Sequence, residues 1–362
     1  MAQWRPKRRI HRQAANVSIR RTHAIALVVV GGATLQAGTA AGADSPPYFL
    51  RNHSPFLQVF GLPSLEGGAL TASGALETRV AFNVVNHADS GENGAEAVVL
   101  DGETYYVDTV FRYGLGERWE VGLDLPYVAH RNGTLDNLIE GWHDFFGLDN
   151  SERQGPSNHL QLTYTRDGVT HADVRDGGGG IGDVRVTGAY QLLAPDDGGR
   201  SAALRGVVKL PTGDEERLRG SGATDLAMSF EATDHTTFAG RTLELSGQAG
   251  ALLLGSGDLL RDQQKSMVPF ASFGAIWHWR EAVGLRVQLA LQGKYFDSGL
   301  DEIGGTTATL ALGSAFRLRR LGVELDVALI EDLISDATPD FGLYFSVRRL
   351  TPEGRRERRE HR

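Results

Sequence analysis

The sequence predicts an all-β fold: an antiparallel transmembrane β-barrel of about 12 strands, interrupted by one long helix-containing loop. Three observations point there. From Gly74 onward apolar and polar residues alternate with period two, as in Trp119, Val121, Leu123, Leu125 and Tyr127 against Glu120, Gly122, Asp124 and Pro126. Connections alternate in length, with short turns at Gly114–Glu117, Arg280–Glu281 and Arg319–Leu321 and longer polar loops at 86–98, 211–222, 255–266 and 297–304. Aromatic side chains (Tyr113, Trp119, Tyr127, Trp277, Trp279, Tyr295 and Phe345) gather at strand ends, where a bilayer interface favours them.

Composition supports this class by exclusion. The 362 residues contain no Cys, which removes thiolate metal sites, iron–sulfur clusters and thiol catalysis. A mean hydropathy of −0.24 is too low for a bundle of membrane helices. Residues 1–23 hold seven basic residues and no acid, Ala24–Leu35 is apolar, and small residues follow up to Ala41-Gly42-Ala43. A basic start, a short apolar run and an A-x-A site form a secretory signal peptide, with cleavage expected near Ala43-Asp44 after Sec-type export. The apolar run is shorter than the roughly 20 residues a spanning helix needs. Losing the leader takes the formal charge from −8 to about −15, which argues against a nucleic-acid partner.

The elements follow in order. Residues 44–70, with Tyr48, Phe49, Phe56, Leu57 and Phe60, are apolar but aperiodic, and are expected to plug the barrel or lie beneath it. The barrel occupies 71–350, and the basic tail is 351–362. Strands are expected near 76–84, 103–113, 119–127, 182–193, 201–211, 223–233, 241–254, 267–279, 283–295, 305–319, 321–331 and 340–349. Most reach the roughly 9–11 residues that cross a bilayer. In hydrocarbon the sheet must close, with its apolar face outward and its charged face toward a wet lumen. That parity places Arg79, Arg112, Asp124, Arg185, Glu231, Glu244, Arg286, Lys294, Arg317, Glu324 and Asp326 inside.

Residues 129–181 form one long loop, and loops of that size are usually functional. In it Leu135, Leu138, Ile139, Trp142 and Phe146 have helical spacing, with Asp136 near the start and Gly147 at the end. This helix, with Glu140, Trp142, His143, Asp144, Phe145 and Phe146, is the candidate gate. A hairpin is expected after it, Leu160 to Tyr164, turning at Asp167-Gly168 and returning through Val169.

The chemical motifs are weak. Gly177 to Gly182 formally matches a dinucleotide fingerprint, but a strand follows where a helix is required. Glu140, His143 and Asp144 suit the polar face of an amphipathic helix better than a metal site. Ser229, Ser246 and Ser346 face the lumen without a histidine of clear parity nearby, and no G-x-S-x-G elbow occurs. No catalytic residue, metal site or cofactor is therefore expected.

Leu135-Asp136-Asn137-Leu138-Ile139-Glu140-Gly141-Trp142-His143-Asp144-Phe145-Phe146-Gly147 resembles the signature of a proteobacterial family of unknown function, number 3187 among such domains. Asn52-His53-Ser54-Pro55 through Gly61-Leu62 resembles that family's opening. Gly180-Ile181-Gly182-Asp183 and Lys209-Leu210-Pro211-Thr212-Gly213-Asp214 are similar to motifs of outer-membrane channels associated with aromatic degradation. These resemblances imply an outer-membrane barrel passing small or hydrophobic molecules, and they bring no catalytic residue. The expected partners are outer-membrane lipid, periplasmic chaperones, the barrel-assembly machinery and an unidentified small-molecule cargo. A closed structural or surface-interaction barrel and a lipid-modifying enzyme are the alternative readings.

Overall fold

The computed structural model describes residues 45–133, 159–195, 199–334, 337–339 and 341–350. All lie in one compact unit, Gly42–Arg362. The first strands are β1 (Leu76–Glu92), β2 (Glu96–Leu115) and β3 (Trp119–Arg131). Three short ones follow: β4 (Gln161–Arg166), β5 (Val169–Val174) and β6 (Gly178–Ile181). The chain continues through β7 (Arg185–Leu193), β8 (Ser201–Lys209), β9 (Asp225–Phe238), β10 (Arg241–Leu253) and β11 (Met267–Arg280). It ends with β12 (Val283–Gln292), β13 (Thr307–Leu318), β14 (Val323–Ile334) and β15 (Phe341–Arg349).

Twelve of these strands close on themselves. β1, β2, β3 and β7 to β15 each pair antiparallel with the next, and β15 pairs back onto β1 at Phe82↔Phe345 and Asn83↔Tyr344. Closure leaves the wall without a free edge, as a bilayer demands. The outward parity carries exposed Val121, Leu125, Val186, Met228, Phe230, Leu245, Phe273 and Val347, an apolar belt suited to lipid. Aromatic pairs sit at the short-turn rim, Trp119 against Tyr190 at 4.7 Å and Phe238 against Trp277 at 6.2 Å.

The turns explain themselves locally. Ala239 and Gly240, joining β9 to β10, have φ of 51° and 72°, and Asp167 and Gly168, joining β4 to β5, have 49° and 77°. Two consecutive left-handed residues form the tight hairpin whose twist matches that of its strands. The expected hairpin at 160–169 is therefore present, and it extends the sheet from the upper part of β2.

Three expectations need correction. Residues 86–98 are not a loop: β1 and β2 stay paired from Leu76↔Tyr113 to Glu92↔Ala97, and Asn93 caps the turn by accepting from the Ala95 and Glu96 amides. The glycine run of the long loop is itself a strand, β6, paired with the upper part of β3. Finally, the β12 ladder ends at Gln292, where the Gly293 amide bonds Pro269 O. Past that point the alternation no longer applies, so Lys294 is exposed outside the ladder and Tyr295 is buried instead of girdling the rim.

Candidate functional site

An eight-stranded barrel is filled by its own side chains, whereas twelve strands enclose more space than they fill. Residues 45–71 occupy that space. The strap, as this segment is called below, begins at the short-turn end, where Ser45 Oγ donates to Glu324 Oε2 (2.7 Å) and accepts from Arg317 (2.8 Å). It climbs past Arg79, which donates to Pro47 O (3.0 Å), and past Tyr344, whose hydroxyl accepts from the Phe49 amide (3.1 Å). Ser54 to Phe60 make a single helical turn at the top, with the Leu57 and Gln58 amides donating to Ser54 O. The descending limb returns by Gly68, bonded to Thr233 (3.0 Å), and Thr71, bonded to Glu120 (2.7 Å), to reach the Ser73–Gly114 bridge.

Two ion-pair clusters hold the limbs. On the way up Arg51 pairs with Asp108 and lies 3.7 Å from Asp124, its guanidinium 5.6 Å from the Tyr106 ring centre. On the way down Glu66 receives a forked pair from Arg112 (2.5 and 2.8 Å) and lies 3.8 Å from Arg205. Arg112 and Arg205 also keep wall partners: Asp124 for the first, Glu120 and Glu231 for the second. Burial alone would raise the Glu66 pKa, but Arg112 and Arg205 outweigh it and hold it down at about 2. Burial would lower the Arg51 pKa, and Asp108 overcomes this and raises it. His53, at the top of the ascending limb, is pushed down to about 3 by burial and by Arg51, His87 and Arg185.

The two channel-like motifs converge at the descending limb. Between β6 and β7 the chain leaves the β3 edge, and Asp183, in this gap, is buried on the same inner side as Arg185 two residues on. Asp183 accepts from the Gly213 amide (2.8 Å) and the Ser221 amide (3.1 Å) and pairs with Lys209 (2.8 Å). Lys209, 0 % exposed, also pairs with Asp225 (3.0 Å) and donates to Val59 O of the strap (3.0 Å). Asp225 accepts from the Gly61 amide (2.8 Å), and Arg185 donates to Phe60 O (3.1 Å). The glycine run serves close packing: a Cβ at Gly179 would fall 2.9 Å from the Ala129 Cβ on β3. Above this latch Phe56, Leu57, Phe60 and Leu62 pack into an apolar chamber with Tyr164, Leu218, Leu260, Tyr295, Phe296 and Ile303 of the α1 turn (Asp301–Gly304).

Of the eleven inward residues expected from parity, Arg79, Arg112, Asp124, Arg185, Glu231, Glu244, Arg286, Glu324 and Asp326 are buried on the inner face. Arg317 is half-buried there against Glu324, and Lys294 lies outside the ladder. Glu140, Trp142, His143, Asp144, Phe145 and Phe146 lie outside the described residues. The hydroxyls of Ser229, Ser246 and Ser346 bond to Gln248, Thr233 and Asp326. One cluster went unread in the sequence: His235 and His278 lie 3.5 and 3.8 Å from Glu244, all on the inner parity of β9, β10 and β11. Among the described residues no three His, Cys, Asp or Glu side chains are placed to hold a metal ion.

The fold is thus that of a membrane β-barrel with a packed, charged interior threaded by its own N-terminal segment. The chain belongs to the family DUF3187, proteins of unknown function, which matches residues 24–349. No curated protein is similar in sequence. Among solved structures the chain is similar to the COG4313 outer membrane channel from Pseudomonas putida F1 (12% identity, 78% of this chain and 97% of that one, TM-score 0.48). It is similar also to the NanC porin (8%, 76% and 100%, 0.41) and the Pseudomonas putida toluene transporter TodX (8%, 84% and 98%, 0.34).

Proposed function

We propose that the chain is a bacterial outer-membrane channel for small molecules, shut in the state described by its strap and opened when the strap withdraws. The supporting observation is how the lumen is filled. The filling segment has both ends at the short-turn opening, which in outer-membrane barrels is periplasmic, and is held by side-chain contacts. Such contacts can be exchanged for water, whereas a wall made only to be solid would close on its own side chains. Export by the leader, cleavage near Ala43-Asp44 and insertion by chaperones and the barrel-assembly machinery would deliver it to outer-membrane lipid. Cargo enters the reading as a class only: small molecules able to pass a charged lower lumen and an apolar upper chamber.

The test compares the exported chain with a variant carrying Arg51→Met and Glu66→Gln, each refolded into micelles and planar bilayers. Heat-modifiable gel migration shows that the barrel has formed. The reading expects rare openings in the natural chain and frequent discrete conductance in the variant. A heat-modifiable variant that stays silent would favour a permanently closed structural barrel instead.

A further inference from the structure

His53 is 3 % exposed, and neither of its ring nitrogens has a hydrogen-bond partner among the described residues. Its ring stands 4.9 Å from that of Tyr106, tilted by 46°. Asn83, directly opposite Tyr106 in the β1–β2 register, is 0 % exposed, and both polar atoms of its amide lack partners as well. Buried polar groups left without partners are rare in folded proteins and disfavour the state that buries them.

The charged and titratable groups facing His53 come from four elements. They are Arg51 on the strap, His87 on β1, Tyr106 on β2, and Arg185 on β7. His87 is linked through Thr104 to His130 on β3 (3.3 and 3.0 Å). None of these is an anion, and the carboxylates nearby, Asp108 and Asp124, are turned to Arg51. Arg185 spends its guanidinium on Asp183 O and Phe60 O. A second proton on His53 would place a cation in a dry site bordered by two guanidiniums, with no acceptor aimed at it.

We propose that His53 is a proton-operated release for the strap: charging its ring expels the top of the strap, residues 51–60, from between β1, β2 and β7. This deepens the reading of the strap as the closure of the passage and rests on it. Withdrawn into water the ring takes a proton near pH 6.5, while docked it resists down to about pH 3. The sign follows from linkage. Docking is fully favoured above about pH 6.5 and weakens by about tenfold for each unit of acidification below it, until the docked ring itself titrates. From pH 7.5 to pH 4.5 the ratio of docked to released strap falls roughly a hundredfold.

Hydrogen exchange of peptides covering 51–60, in the full exported chain in micelles, reads this release. The natural chain is compared with His53→Gln at the same pH, so the chemical pH dependence of exchange cancels. The two should match at pH 7.5. At pH 4.5 the natural strap should exchange faster by up to about a hundredfold, with peptides from β9 to β12 unchanged. Equal exchange at pH 4.5 overturns the proposal. His53→Asn gives the same comparison if the Gln variant does not yield a heat-modifiable barrel. Bilayer current on the same samples separates the two readings: acid-induced exchange with current supports both, and acid-induced exchange without current supports the switch while overturning the channel.

Discussion

Replacing Arg51 by Met leaves Asp108 buried with no other ion-pair partner within 4 Å among the described residues. The unbranched methionine preserves the packing against Phe49 and Tyr106, whose ring centres lie 5.0 and 5.6 Å from the guanidinium carbon. Removing one member of a buried pair costs about 3–5 kcal/mol, because the other charge stays desolvated. At 1.4 kcal/mol per tenfold, this lowers the ratio of docked to released strap by two to three and a half orders of magnitude. Glu66→Gln should cost less, about 1–2 kcal/mol, because Arg112 and Arg205 retain Asp124, Glu120 and Glu231. Hydrogen exchange across residues 45–71 measures both variants, and opening frequency in bilayers gives an independent reading. Adding Asp108→Asn to Arg51→Met removes both charges and should restore much of the protection. A strap as protected in Arg51→Met as in the natural chain would refute the argument. So would a double variant no better than the single one.

Three more expectations follow from the same geometry. A Cβ at Gly68 would fall 2.4 Å from Ser201 O and 2.9 Å from the Thr233 amide, so Gly68→Ala should unseat the descending limb at about 1–3 kcal/mol; exchange at 66–71 should rise while β8 and β9 stay protected. Glu66, held at about 2 in the fold against 4.5 when free, stabilises docking fully above about pH 4.5 and loses that contribution as pH falls toward 2; Glu66→Gln should flatten this part of a pH titration of strap protection. Phe230 is 47 % exposed on the outer face of β9, where an arginine should cost about 2–4 kcal/mol if placed near the bilayer midplane; reversible urea unfolding from lipid bilayers checks it, and an unchanged midpoint would count against a lipid-facing belt.

The barrel wall was legible because each of its strands buries one face and shows the other to lipid, which writes the period of two into the residues. Arg286 and Gln288 on one face of β12 against Val287 and Leu289 on the other are an instance. Where both faces leave lipid the signal fades. Asn86, His87, Asp89 and Ser90 read as a polar loop, yet the β1–β2 ladder runs straight through them. Tyr295 misled for the opposite reason: its parity continued on paper after the ladder had ended at Gln292. The strap was recognisable as apolar and aperiodic, but its route was not, since its contacts go to residues from all around the wall and not to sequence neighbours. Nor could spacing show that Asp183, Lys209 and Asp225 meet, because that depends on the register of three neighbouring strands, which sets Lys209 opposite Arg185 on one side and Asp225 on the other.

The seam between β1 and β15 sets this chain's kinetics apart from its stability. Every other pairing in the wall joins strands that are close in the chain or linked by the 129–181 excursion, whereas Asn83 and Tyr344 lie roughly 260 residues apart. Closing a loop of that size costs roughly 5 kcal/mol of chain entropy before the seam gains its first contact. The strap spans that seam. Already tethered beside β1, it presents Tyr48 and Phe49 to Tyr344, with the Tyr48 and Tyr344 rings 5.2 Å apart. Joined directly to β1 and in contact with β15, the strap touches both sides of the seam, so substitutions at Tyr48 or Phe49 should register in how fast the seam forms as well as in how firmly it holds.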